Sequence, residues 1–317
     1  MARSGAGPGA YGLFLPLIFL SIMALSLFRR SRLGAGAGLA LLLGWLLLTA
    51  CNNSDDQPTQ PTPDPTIKLV TSATLGTFLT DKAGNTLYYF TRDVDGQNVC
   101  TGGCADVWPI FYEADIQVGD GLQAADFTTQ TTASGQPQTT YKGWPLYYYA
   151  PAVNGQNVRE AAGQTTGNGV GNIWYVVNPT YSVMVATKVV TDKATNQTAT
   201  RSFLVDGKGR TLYFFHKDDL NPNTLPTNCT GSCEALWPPF TTSGRVFPSL
   251  LRAADFGTIT RTTAGGGGPY GDGTASTAQL TYKGKPLYYY TADNLTRGRV
   301  EGHGLVSEGD QWLVATP

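Results

Sequence analysis

Short runs of alternating apolar and polar residues recur along most of this chain, while long apolar stretches stand only near its beginning. A period of two is the signature of strands with one buried face. Residues 78–81 and 86–90 are β-prone runs around Lys-Ala-Gly-Asn, and they predict a hairpin. A tighter hairpin turn is predicted at Lys142-Gly143 and again at Lys283-Gly284. Pro145 and Pro286 open its return strand, where a missing N–H is tolerated. Helical periodicity is absent beyond the first fifty residues, apart from single turns predicted at 105–108 and 234–237, each before a proline. This is the pattern of an all-β protein.

The pattern also repeats. Phe78-Leu-Thr-Asp-Lys-Ala-Gly-Asn-Thr-Leu-Tyr-Tyr-Phe90 returns as Phe203-Leu-Val-Asp-Gly-Lys-Gly-Arg-Thr-Leu-Tyr-Phe-Phe215. Cys100-Thr-Gly-Gly-Cys104 with Trp108-Pro109 returns as Cys229-Thr-Gly-Ser-Cys233 with Trp237-Pro238. Ala124-Ala-Asp-Phe127 returns as Ala253-Ala-Asp-Phe256, and Thr140-Tyr-Lys-Gly-Trp-Pro-Leu-Tyr-Tyr-Tyr149 as Thr281-Tyr-Lys-Gly-Lys-Pro-Leu-Tyr-Tyr-Tyr290. Strand-like ends follow, Ile173-Trp-Tyr-Val-Val177 and Gln311-Trp-Leu-Val314. Shared order across these features is an internal duplication. It predicts a pseudo-dimer of two hairpin-rich modules, residues 67–179 and 180–317. The glycine-rich run 265–273 occurs only in the second and is expected to be a mobile loop.

The first fifty residues set the expected compartment. Leu48-Thr49-Ala50-Cys51 has the form of a lipobox, in which the cysteine thiol takes a lipid. An apolar run at 33–48 follows Arg29, Arg30 and Arg32, the basic and apolar regions of a secretory signal. Residues 1–50 are thus read as signal peptide, with Cys51 as the lipid attachment site. A second apolar run at 11–28 makes that signal unusually long. A start at Met23 would restore an ordinary length, and a membrane helix at 11–28 is the alternative. The Arg29-Arg30 pair gives only a weak twin-arginine signal. Residues 51–66 carry Pro58, Pro61, Pro63 and Pro65 among polar residues and are read as an extended tether. The expected location is extracytoplasmic: the outer membrane if the host has one, otherwise the outer face of the plasma membrane.

Composition narrows the function. The chain has 22 basic and 23 acidic residues, a net charge of −1, which leaves no electrostatic footprint for nucleic acid. Only two histidines, His216 and His303, are present, in positions unmatched between the halves. No nucleophile-elbow, zinc-protease or phosphate-loop motif occurs, so the chain offers no candidate catalytic residue, and no cofactor is expected.

Five cysteines divide into Cys51 and two Cys-x3-Cys pairs. In an oxidising compartment the pairs Cys100 with Cys104 and Cys229 with Cys233 most simply form local disulfides. Such small loops contribute roughly 2 kcal/mol each in the chain-entropy account. Copper binding and redox activity are the sharper readings. Copper lacks a duplicated third ligand, since Thr91 stands where the second half has His216 and Met184 is the sole methionine after the signal. No metal site is assigned.

Tyr88-x-Phe90-x-x-Asp93 and Tyr213-x-Phe215-x-x-Asp218, with the cysteine pair and Trp-Pro that follow, resemble the bacterial secreted-repeat lipoproteins with a Tyr-x-(Phe/Trp/Tyr)-x-x-Asp motif. Tyr288-x-Tyr290-x-x-Asp293 also matches, whereas Tyr147-x-Tyr149 has Ala152 where the motif has Asp. The resemblance implies little about activity, because the family's function is largely unknown. The degenerate fourth copy argues against a site that needs four equivalent aspartates. The motif tyrosines and phenylalanines are read as core, with an exposed platform that stacks on sugar or peptide as the functional alternative. The aspartates are read as turn caps.

The expected function is a non-catalytic binding or structural module of the envelope, held to the membrane by its lipid. A glycan or protein ligand would sit in a groove where the two halves meet. An extracytoplasmic redox or metal-handling protein, using the cysteine pairs and tyrosines, is the competing reading.

Overall fold

Two copies of one chain path follow each other along the sequence. The computed structural model describes residues 64–220, 228–265, 268–271, 273 and 275–317. The predicted signal, Cys51, most of the tether and residues 266, 267 and 272 of the glycine-rich run lie outside the described residues.

The first copy opens with β1 (Ile67–Ser72) and β2 (Gly76–Asp81), an antiparallel hairpin. Then come β3 (Tyr88–Phe90), the five-residue helix α1 (Gly103–Val107), β4 (Phe127–Thr131), β5 (Pro137–Tyr141) and β6 (Trp144–Pro145). A small hairpin of β7 (Ala152–Val153) and β8 (Gln156–Asn157) precedes β9 (Trp174–Val176). The second copy runs through β10 (Val183–Asp192), β11 (Gln197–Asp206), β12 (Tyr213–Phe215), α2 (Ser232–Leu236), β13 (Phe256–Gly265), β14 (Ser276–Tyr282) and β15 (Lys285–Pro286). It closes with β16 (Val306–Ser307) and β17 (Asp310–Val314). The sheets correspond: β1-β2, β3-β9 and β4-β5-β6 in one half match β10-β11, β12-β17-β16 and β13-β14-β15 in the other.

The predicted turns form. Lys142 and Gly143 have φ of 48° and 78°, and Lys283 and Gly284 have 50° and 81°, the left-handed pair that a two-residue hairpin requires. The helical turn before each Trp-Pro is present, with the Trp108 N–H donating to the Cys104 carbonyl at 2.8 Å and Trp237 to Cys233 at 2.7 Å. Both cysteine pairs are oxidised, Cys100–Cys104 and Cys229–Cys233.

The first predicted hairpin is shorter than expected. The Asp81 carboxylate accepts the N–H groups of Ala83 and Asn85, both at 2.9 Å, and folds the chain back. Only Thr80 and Thr86 then pair across the turn. Beyond them β3 leaves β2 and pairs with β9, because the Phe90 ring stacks on Trp174 there at 4.0 Å. Within the glycine-rich run, residues 269–271 are held more closely than a mobile loop would be: Arg210 donates to the carbonyls of Pro269 and Gly271, and Tyr270 lies against Tyr289.

The two halves share a core. Tyr89, Trp144 and Val177 of the first pack in one cluster with Met184, Ala186 and Phe203 of the second. β10 lies between them: Val183 and Val185 turn to the second half's own core, while Met184 and Ala186 turn to the cluster shared with the first.

Candidate functional site

Four Leu-Tyr strands carry the repeat motif, and they meet in pairs. Tyr88 and Tyr147 exchange backbone hydrogen bonds at 2.9 and 3.0 Å, and Tyr213 and Tyr288 do so at 2.8 and 2.9 Å. Each tyrosine hydroxyl then crosses to the other motif of its pair. Tyr147 donates to Asp93 Oδ2 at 2.5 Å, Tyr213 to Asp293 Oδ2 at 2.7 Å, and Tyr288 to Asp218 Oδ2 at 2.8 Å. The second oxygen of each carboxylate caps backbone: Asp93 accepts from Val99, Asp218 from Asn228 and Asp293 from Glu301. The aspartates are turn caps, as expected, and also clasps for a buried phenol.

The fourth clasp exists without its aspartate. Where the motif has Ala152, the Tyr88 hydroxyl bonds Glu160 Oε1, and Glu160 Oε2 caps the Thr166 N–H at 2.8 Å. Thr166 precedes Gly167 as Glu301 precedes Gly302, so Glu160 does in the first half what Asp293 does in the second. The fourth aspartate is absent, as the motif comparison shows, and a carboxylate from another position takes its part in the clasp. One sequence signal marks it, since Glu160 is the only acidic residue between Asp126 and Asp192.

Each clasp encloses a stack of four rings. Phe90, Trp174, Trp108 and Tyr149 follow one another at 4.0, 3.8 and 4.5 Å, and Phe215, Trp312, Trp237 and Tyr290 at 4.5, 3.8 and 4.1 Å. The clasped tyrosines stand edge-on against the two tryptophans, Tyr88 to Trp108 at 5.5 Å and Tyr147 to Trp174 at 5.1 Å. Edge-on contact suits the ring quadrupoles and adds to area burial. Gly302 is needed beside this stack, because a Cβ there would lie 2.7 Å from Trp237 and 2.8 Å from Tyr213.

The exposed-platform alternative does not fit this arrangement. Tyr88, Phe90, Asp93, Tyr147, Tyr213, Phe215, Asp218, Tyr288 and Asp293 are all buried, and only Tyr149 and Tyr290 are half-buried. The reason is the two-sided strand: Tyr88 and Phe90 face the ring stack while Tyr89 enters the shared core on the opposite face. Cys100 packs with the same ring cluster, so the disulfide braces the loop that delivers Trp108.

Burial perturbs these groups. It pushes Asp93 up to about 7 and Asp293 up to about 6, although the hydroxyls and N–H groups on them pull the other way. A folded-state value above the unfolded one contributes stability in acid that is lost as pH rises through the folded value. The Asp93 and Asp293 terms therefore fall away between about pH 4 and pH 8. His303 acts oppositely. Its Nδ1 accepts the Val314 N–H, as Asn168 Oδ1 accepts that of Val176 in the first half. Burial and the Arg201 guanidinium lower this imidazole, against a pull from Asp192, so its term is lost as pH falls below its ordinary value. Urea midpoints measured from pH 4 to 8 should show both slopes. Asp93→Asn should flatten the alkaline one and His303→Asn the acidic one; an unchanged profile in both would contradict the assignment.

Where the halves meet, the Arg297 side chain enters the first half. It donates to the carbonyls of Val94 at 2.7 Å and Lys142 at 2.9 Å, and its guanidinium lies 4.7 Å over Trp144. Burial lowers it to about 10. Beside this interlock opens a cleft of about 260 Å³. Lys142 of the first half and Tyr181, Ser182, Lys208, Phe240 and Ser243 of the second line it. Apart from Lys142 and Pro179 its lining belongs to the second half, and Asp206 and Arg210 stand among the hydroxyls and amines. The site residues named from sequence do not reach it.

Fold and clasps together define a duplicated all-β repeat protein in which each repeat is closed by tyrosine–carboxylate pairs around a tryptophan stack. Residues 69–111 and 195–241 match the model of a secreted repeat of unknown function, so the repeat occurs twice in the chain, and a secreted repeat fits an extracytoplasmic protein. Each match covers the first tyrosine strand and the cysteine pair and stops before the strand with Tyr147 or Tyr288. No curated protein and no solved structure matches the chain. Among the described residues no helix is long and apolar enough to cross a membrane.

Proposed function

We propose that this chain is a non-catalytic binding module of the bacterial envelope, anchored by lipid at Cys51 and taking its ligand in the cleft between the halves. One observation carries the reading: the motif's phenols, carboxylates and indoles are engaged with one another inside each half. Groups held in this way build a scaffold and do not turn over a substrate. The cleft is a concave surface outside it, and it combines Tyr181 and Phe240 with the hydroxyls of Ser182 and Ser243, the amines of Lys142 and Lys208 and the paired Asp206 and Arg210. Rings, hydroxyls and amines together suit a polyhydroxylated, acidic envelope glycan.

Calorimetry of the mature chain with solubilised envelope glycan fragments tests the ligand. Saturable binding that weakens in Lys208→Glu is expected, and binding unaffected by that change would place the ligand elsewhere. Radiolabelled palmitate tests the anchor: label and membrane retention should both disappear in Cys51→Ala. A catalytic reading would gain ground if the same fragments were shortened on incubation.

A further inference from the structure

The two halves are copies, yet they differ beside their disulfides. In the second half Arg261 reaches from β13 to the Glu234 carboxylate on α2, and its other terminal nitrogen donates to Gln279 Oε1 at 2.7 Å. The repeats align Glu234 with Ala105, Arg261 with Thr132 and Gln279 with Gln138. The first half keeps the buried glutamine and lacks the ion pair. Gln138 donates to the Leu146 carbonyl at 3.0 Å, as Gln279 does to Leu287 at 2.9 Å. Its Oε1 accepts the Asn98 amide at 2.8 Å, the bond that Arg261 supplies in the other half.

A methyl and a short hydroxyl therefore stand where the second half has two long charged side chains, and the space is open. A pocket of about 170 Å³ lies there, with Ala105 and Thr132 among its walls. Ile110, Ala133 and the Cys100 end of the disulfide give it apolar surface. Thr101, Ser134 and Gln136 are exposed around it and present hydroxyl and amide groups. No charged side chain is among the residues that line it. A charged ligand would lose hydration there without meeting a counter-charge. A ligand with an apolar face and several hydroxyls would satisfy both kinds of wall.

We propose that this pocket binds an uncharged sugar ring, with the C–H face of the ring on Ile110 and Ala105 and its hydroxyls on Thr101, Ser134 and Gln136. The pocket shares no residue with the cleft between the halves, so the inference stands apart from that reading.

Titration of the folded chain with glucose, followed by amide shifts in NMR, tests it. Saturable shifts at Thr101, Ala105 and Ser134 are expected, with glucuronate about tenfold weaker because its charge finds no partner. Ala105→Glu combined with Thr132→Arg carries the ion pair of the second half into the first, and should close the pocket and abolish the shifts. Thr101→Val keeps the shape but removes one hydroxyl, and should weaken glucose several-fold. Lys208→Glu, in the cleft, should leave glucose binding as it is. Absence of saturable shifts, glucuronate binding as tightly as glucose, or undiminished binding in both the paired variant and Thr101→Val would overturn the proposal. So would loss of glucose binding in Lys208→Glu, which would move the sugar to the cleft.

Discussion

Trp237→Ala is expected to lower the unfolding free energy by about 3–5 kcal/mol, the range for deleting a large buried aromatic. Trp237 is buried between Trp312 at 3.8 Å and Tyr290 at 4.1 Å, and Tyr213 meets its edge at 5.5 Å. Removing it opens a cavity inside a stack whose other rings are fixed by β12 and β17 and cannot close in. The cluster it belongs to reaches across both halves, so the loss should appear as one cooperative shift in the urea midpoint. Trp237→Phe should recover part of it. A loss below about 1 kcal/mol would mean that the stack is ornamental to stability.

Gly143→Ala should cost about 2–4 kcal/mol, well above the usual penalty for alanine at a left-handed position. Gly143 has φ of 78°, and a Cβ there would lie 1.9 Å from Arg297 Nη1. The arginine would have to leave its slot, losing its bonds to the Val94 and Lys142 carbonyls and its place over Trp144. Gly135 supplies the control, since its φ is 81° and a Cβ there would meet nothing within 4 Å. Gly135→Ala carries the backbone strain alone, so the difference between the two variants reads the interlock between the halves. Equal effects would show that Arg297 does not join them.

Much of this architecture is legible in the residue order. The duplication, both disulfides, the helical turn before each Trp-Pro and the left-handed Lys-Gly turns all follow from local pattern, because each is decided by residues a few positions apart. Period-two reading also separates Tyr88 and Phe90 from Tyr89 correctly. It does not say whether both faces are covered, which depends on strands such as β9 and β10 that are distant in sequence. The crossing of tyrosines and carboxylates is hidden for the same reason: Tyr147 and Asp93 are 54 residues apart, and each reads as complete within its own motif. Glu160 escapes the motif frame because it lies eight residues past the expected position, counting from Ala152 to Glu160. Nothing local marks Arg297, whose slot is formed by the left-handed glycines Gly96, Gly143 and Gly209 from both halves.

A repeat defined by tyrosine, aromatic and aspartate reads as core with turn caps, and an exposed platform is the alternative. Here those residues hold each half together from within. The distinction matters for any search for function, since changing a motif residue would lower stability whether or not a ligand binds there.

A double-mutant cycle on Tyr213→Phe and Asp293→Asn tests this most directly, with urea unfolding at pH 7 as the readout. The clasp predicts that each single change destabilises and that the pair couples by about 1–3 kcal/mol, because the two groups satisfy one another in a buried site. Additive changes of negligible size, in a protein that stays folded, would contradict it and return the motif to the surface.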